Sequence, residues 1–222
     1  MKKTVELIIF DWDGTLFDSV GQIVESLQFA AQTHQQPLTD DAAKSIIGLG
    51  LPEVMNVLFP QVPELHSRLL DSYADHYVAN SKDDIWFDGV AELLHDLKQQ
   101  GIKLAVATGK SRKGLDRVLA QTKSHHLFDI TRAASETKSK PHPLMLTEIL
   151  AVTGVNVENA IMVGDTSYDL EMAQNIAMPR VGVSYGVHSS DVLTQYLPLA
   201  IAKDVASLHQ FLNAHLNTSE MA

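Results

Sequence analysis

Residues 5–15 read Val5-Glu6-Leu7-Ile8-Ile9-Phe10-Asp11-Trp12-Asp13-Gly14-Thr15. An apolar run too short for an ordinary helix stops at two carboxylates and a glycine. That is the pattern of a strand buried on both faces that delivers polar groups at its carboxyl end. The pattern recurs: residues 103–108 (KLAVAT) end at Gly109, residues 160–163 end at Gly164-Asp165, and residues 180–183 lie between Pro179 and Ser184-Tyr185-Gly186. Between these runs Val90, Leu93, Leu94 and Leu97 stand at i, i+3, i+4 and i+7, and Leu146, Ile149, Leu150 and Thr153 repeat that spacing, which predicts amphipathic helices. Strands alternating with helices imply an α/β fold with a parallel sheet, whose ligand site lies beyond the carboxyl ends of the strands.

Residues 17–84 break the alternation. Ile23, Leu27, Ala30 and Ala31 fall at helical spacing, followed by a helix-like stretch over residues 39–47, then Met55-Leu58-Phe59, then Leu65, Leu69, Tyr73 and Tyr77, with no strand between them. Pro37, Pro52, Pro60 and Pro63 punctuate the series. We read a helical module of residues 17–84 inserted after the first strand, and a core domain of residues 1–16 and 85–222. The links fall near Phe17 and at residues 83–88, where Trp86-Phe87 suggests a packing cluster.

The chain has 222 residues, 45% of them hydrophobic, enough for one sizeable core and an accessory module. With no cysteine, disulfides, thiol nucleophiles and Cys-ligated zinc are excluded, which leaves carboxylates and histidines as metal ligands. A formal net charge of -10 without a basic cluster argues against nucleic acid as a partner. No apolar run approaches a membrane span. Met1-Lys2-Lys3 begins like a secretion signal, but the apolar stretch behind it is cut short by Asp11 and Asp13, so a cytoplasmic protein is expected. Asn217-Thr218-Ser219 matches a glycosylation pattern and reads as a polar tail.

Asp11 and Asp13 can enter one site once the chain turns at Gly14, one to attack and the other to handle a proton. A solvated acidic turn is the plain alternative. Three further features follow in order: Thr108 at the end of the second predicted strand, Lys140 in Lys140-Pro141-His142-Pro143, and Asp165 with Asp169 in Gly164-Asp165-Thr166-Ser167-Tyr168-Asp169. Singly they have structural accounts: a helix cap, a surface charge, a first-turn acid that complements a helix dipole. Together they supply a nucleophile, an acid, a hydroxyl and a cation for phosphate oxygens, and carboxylates for a hard divalent metal. His125-His126 reads as a surface pair, and His66, His76 and Arg68 as a helix face that is either solvated or turned to substrate.

In these motifs, DWDGT, AVATG, KPHP and GDTSYD, the chain resembles the haloacid dehalogenase superfamily from Ile8 to about Gly186. The resemblance implies a Rossmann-like parallel core with a small helical cap. It also implies Asp11 as nucleophile, Asp13 as general acid and base, Thr108, Gly109 and Lys140 as phosphate ligands, Asp11, Asp13 and Asp165 as Mg²⁺ ligands, and Asp169 as metal support. The chain is most similar to the phosphoglycolate phosphatase-like branch, and Ile47-Gly48-Leu49-Gly50-Leu51 resembles that branch's loop over the active site. Leu49, Gly50, Leu51 and Arg68 are the candidates for cap specificity. Dehalogenases lack the second carboxylate present here as Asp13. Related hexose-phosphate mutases carry a histidine where Ile23 aligns, and phosphonate hydrolases need a cap lysine, for which only Lys44 and Lys82 remain.

The expectation is therefore a Mg²⁺-dependent hydrolase of a small phosphorylated metabolite, acting through an aspartyl-phosphate, as a monomer or weak homodimer. Pyrophosphatase and sugar-phosphate phosphatase are the alternatives among enzymes. A non-catalytic phospho-acceptor is the remote one: a receiver module needs an aspartate at the end of the 103–108 strand, where Thr108 stands. A non-enzymatic binder would be expected to have lost a chemical residue, and none is missing.

Overall fold

The computed structural model describes residues 5–81 and 86–217. Its core is a six-stranded sheet in the order β3-β2-β1-β4-β5-β6. The strands are β1 (Leu7–Phe10), β2 (Lys103–Thr108), β3 (Ile130–Ala133), β4 (Ala160–Gly164), β5 (Arg180–Val183) and β6 (Ile201–Ala202). Every neighbouring pair is parallel. The 5–15 run becomes the central strand: Phe10 sits opposite Val106 on one side and Val163 on the other, so the carboxyl ends of β1, β2 and β4 lie within two residues of one another. Asp11, Gly109 and Asp165 follow directly in the chain, which gathers the motifs at one edge of the sheet.

Side chains alternate across β1, with Ile8 and Phe10 in one apolar layer and Leu7 and Ile9 in the other. Helices α5 (Val90–Gln99), α6 (Arg112–Gln121) and α10 (Val205–Asn217) cover the first layer. Helices α7 (Leu144–Thr153) and α8 (Ser167–Gln174) cover the second. Val90, Leu93, Leu94 and Leu97 are all fully buried, as their spacing requires, and each such side chain contributes about 1.5–3 kcal/mol. A short helix α9 (Ser190–Thr194) packs against β5 and β6.

The inserted module holds α1 (Val20–Thr33), α2 (Asp40–Ser45), α3 (Leu51–Leu58) and α4 (His66–Ala79). It has an apolar cluster of its own, built on Ile23, Leu27, Ala30, Ala31, Leu69 and Tyr77 from the predicted helical faces. Phe17 bridges to Trp86 at the link with the core, and both rings pack on the buried Trp12. Residues 83–85 of the second predicted link, Lys82, Met1-Lys2-Lys3 and Thr218-Ser219 lie outside the described residues. No helix among the described residues is long and apolar enough to cross a membrane.

The cap is seated on the core. Gly50 N–H donates to Ser139 Oγ (2.7 Å), and Tyr168 Oη donates to Ser45 O (2.8 Å). Gly109 lies so close beneath the cap loop that a Cβ there would strike the carbonyls of Gly48 and Leu49.

Candidate active site

The chain turns immediately after β1. Gly14, at φ +81°, adopts the left-handed region, and a Cβ on it would collide with the Asp165 carboxylate. This turn sends Trp12 into the apolar layer while Asp11 and Asp13 both line one cavity.

Asp11 is buried and half-committed. Its Oδ1 accepts from Trp12 N–H (2.6 Å) and pairs with Lys140 Nζ (2.8 Å). Its Oδ2 is buried with no hydrogen-bond partner among the described residues. Lys140 also pairs with Asp169 Oδ1 (2.7 Å). Asp169 Oδ2 accepts from the N–H and the hydroxyl of Thr166, at 3.1 and 2.7 Å, and so closes the N-terminus of α8. The helix cap and the ion pair are thus made by two oxygens of one carboxylate. Asp165 is held by Thr15 Oγ1 (2.7 Å) and Val187 N–H (2.9 Å).

Asp11, Asp165 and Asp169 each offer an oxygen within 4.8 Å of the others, and all three are buried. Burial lifts the Asp11 carboxyl well above its ordinary range; Lys140 pulls it back, while Asp169 and Asp165 push it further up. Burial, with Asp169 beside it, pushes Asp165 up to about 7. Burial disfavours the Lys140 charge, but Asp11 and Asp169 outweigh that and hold its ammonium above the usual lysine range. One lysine among three crowded carboxylates and one unpartnered carboxylate oxygen fit a hard, oxygen-preferring divalent cation.

Asp13 is gripped by a residue that sequence reasoning missed. Lys110 Nζ lies 2.9 Å from Asp13 Oδ1, and Ser19 Oγ donates to the same oxygen, leaving Oδ2 uncommitted. Burial opposes the Lys110 charge, yet Asp13, Tyr77 and Tyr73 together hold it above the ordinary lysine range. Lys110 also donates to Tyr77 Oη (3.3 Å) and sits over the Tyr77 ring at 4.9 Å, linking core to cap. Arg117, in the middle of α6, lies 5.1 Å from the same ring with its Nε buried and without a partner among the described residues. The available signal was a cation directly after a strand-end Thr-Gly and a second on the helix that follows.

The other expected residues are distributed unevenly. Gly109, Leu49 and Leu51 line the cavity with Asp11 and Asp13. Gly50 is held to Ser139 and forms the N-terminal boundary of α3. Thr108 is fully buried at the end of β2, its Oγ1 accepting from Lys110 N–H (3.2 Å), and it does not line the cavity. Arg68 is exposed near the start of α4 and is also absent from the cavity wall, which α4 reaches only from Tyr73 onward. His66 bonds to Phe59 O and His76 to Ser26, away from the site, and His125-His126 is exposed.

Residues 8–183 match the family of haloacid dehalogenase-like hydrolases, and the chain belongs to that family. It is 33% identical over 202 residues to a probable phosphatase, IndB, of Dickeya dadantii, with 88% of each chain covered. It is 27% identical to a phosphoglycolate phosphatase of Vibrio cholerae, over 93% of this chain and 96% of that one. Among solved structures, a predicted phosphatase from Clostridium acetobutylicum superposes with a TM-score of 0.84 at 26% identity, covering 95% of this chain and 99% of that one.

Proposed function

We propose that this chain is a Mg²⁺-dependent phosphatase of phosphoglycolate phosphatase-like architecture that hydrolyses a small phosphorylated metabolite through an aspartyl-phosphate on Asp11. The observation that carries the reading is the state of Asp11: one carboxylate oxygen fixed by Lys140 and Trp12 N–H, the other without a partner, on the wall of a cavity shared with Asp13.

An Asp11 oxygen attacks phosphorus, the ester P–O bond breaks, and the departing alkoxide takes a proton from Asp13. Because Lys110 and Ser19 both hold Oδ1 of Asp13, Oδ2 is the oxygen free to carry that proton. Asp13 then removes a proton from water, which attacks the phosphorus of the aspartyl-phosphate, releasing inorganic phosphate and restoring the Asp11 carboxylate. Lys140 offsets negative charge on Asp11 and on the phosphoryl oxygens. Asp11, Asp165 and Asp169 would gather Mg²⁺, which supplies the remaining positive charge that a phosphate dianion requires at this acidic floor.

Phosphate release from a panel of phosphorylated metabolites, measured with Mg²⁺ and with chelator, tests the reading. Hydrolysis with Mg²⁺, lost in chelator and restored by the ion, is expected. Full rates in chelator would remove the metal, and no release from any ester would remove the phosphatase.

A further inference from the structure

We infer that the ester taken by this site has an apolar, ring-bearing leaving group much larger than a two-carbon acid, seated against the cap; the inference rests on the phosphatase reading of the same site. The cavity that begins at Asp11 and Asp13 has a volume of about 600 Å³, within the ~300–1,000 Å³ that encloses drug-sized ligands. Its far wall is formed by Ile23, Leu27, Ile46, Ile47, Leu51 and Val54. Five of these belong to the apolar cluster of the cap, with Leu27 1%, Ile46 2%, Ile47 3% and Val54 3% exposed, so they pack on one another and together close the cavity with a fixed aliphatic wall.

Such a wall offers water few partners. An apolar ligand body laid against it gains dispersion contacts and leaves water as it does so. The polar lining residues come from other elements: Asp11, Asp13 and Lys110 at the catalytic end, Tyr73, Asp75 and Tyr77 from α4, and Lys113 and Arg117 from α6. Val78, also in the lining and 54% exposed, marks where the cavity meets solvent. A glycolate-sized leaving group would leave the aliphatic wall untouched.

The test compares kcat/KM for ethyl phosphate, 2-phenylethyl phosphate and phosphoglycolate, all of which expel alkoxides, with acetyl phosphate as a probe too small to reach the cap wall. The phenylethyl ester should exceed both ethyl phosphate and phosphoglycolate by about 10²-fold. In Ala74→Trp, where an exposed lining residue of α4 is enlarged, the phenylethyl-to-ethyl ratio should fall at least about tenfold. Hydrolysis of acetyl phosphate with a phenylethyl-to-ethyl ratio below about tenfold overturns the inference and leaves the phosphatase reading standing. If no ester turns over, calorimetric titration of Asp11→Asn decides: binding of 2-phenylethyl phosphate at least about tenfold tighter than phosphoglycolate supports the cavity assignment without the chemistry, and equal binding overturns it.

Discussion

The two ends of the cavity are built on opposite principles. At the core end, each carboxylate is fixed by named donors: Asp11 by Lys140 and Trp12 N–H, Asp13 by Lys110 and Ser19, Asp165 by Thr15 and Val187, Asp169 by Thr166 and Lys140. At the cap end, aliphatic side chains line open space without a single directional bond. Charge buried at a strand end is costly unless its geometry is fixed, so each residue there is over-determined. A hydrophobic wall is defined only by shape, and one aliphatic side chain can stand for another.

The sharpest way to break the comparison is at Asp11. Asp11→Asn keeps the volume but removes the nucleophile, and turnover should fall by about 10⁵-fold or more. Thermal stability should not fall with it: Lys140 keeps its 2.7 Å pair with Asp169, and one of three mutually repelling carboxylates is gone. Rates near wild type, or a melting temperature that collapses, would show that Asp11 is there for the fold. Asp13→Asn should cost less, about 10²–10⁴-fold in kcat/KM on an alkyl phosphate, and clearly less on p-nitrophenyl phosphate, whose leaving group needs little protonation. Equal losses on both substrates would withdraw the acid role and leave Asp13 as the anchor that Lys110 and Ser19 hold.

The same asymmetry governed what the sequence could reveal. Asp11, Asp13, Asp165 and Asp169 stood out because apolar strands end at or near them, and Lys140 because of its Lys140-Pro141-His142-Pro143 setting. Strands β1, β2, β4 and β5 were legible as apolar runs. β3 was not, because Thr131 and Arg132 make half of a four-residue edge strand that is mostly only half-buried, and β6 is two residues long. Lys110 and Arg117 escaped notice because a cation in a loop or on an amphipathic helix is explained by solvent until its partner in the cap, here Tyr77, is known. The cap wall was invisible for the converse reason. Ile23 and Leu27 sit at the helical spacing that any core face would show, and no periodicity says whether a side chain meets another side chain or a void.

The smallest expected effect sharpens the comparison inside the cap, where sequence reading ranked Leu51 and Arg68 together. Leu51 opens α3 and lines the cavity, half-buried. Arg68 is exposed on the first turn of α4, while that helix reaches the cavity only from Tyr73 onward. Leu51→Ala removes three carbons from the wall. At about 0.8 kcal/mol per fully buried methylene, halved for partial exposure, the loss is about 1 kcal/mol, or roughly fivefold. That loss should fall on kcat/KM for 2-phenylethyl phosphate and spare ethyl phosphate, whose leaving group is too short to reach the wall, so the ratio of the two esters moves. Arg68→Ala should leave the ratio unchanged, because neither ester meets its side chain. A ratio shifted equally by both substitutions would mean that the cap reads substrate through its net charge and overall fold; a shift in Arg68→Ala alone would place the reading surface on the outer face of α4, and the aliphatic wall would lose its role.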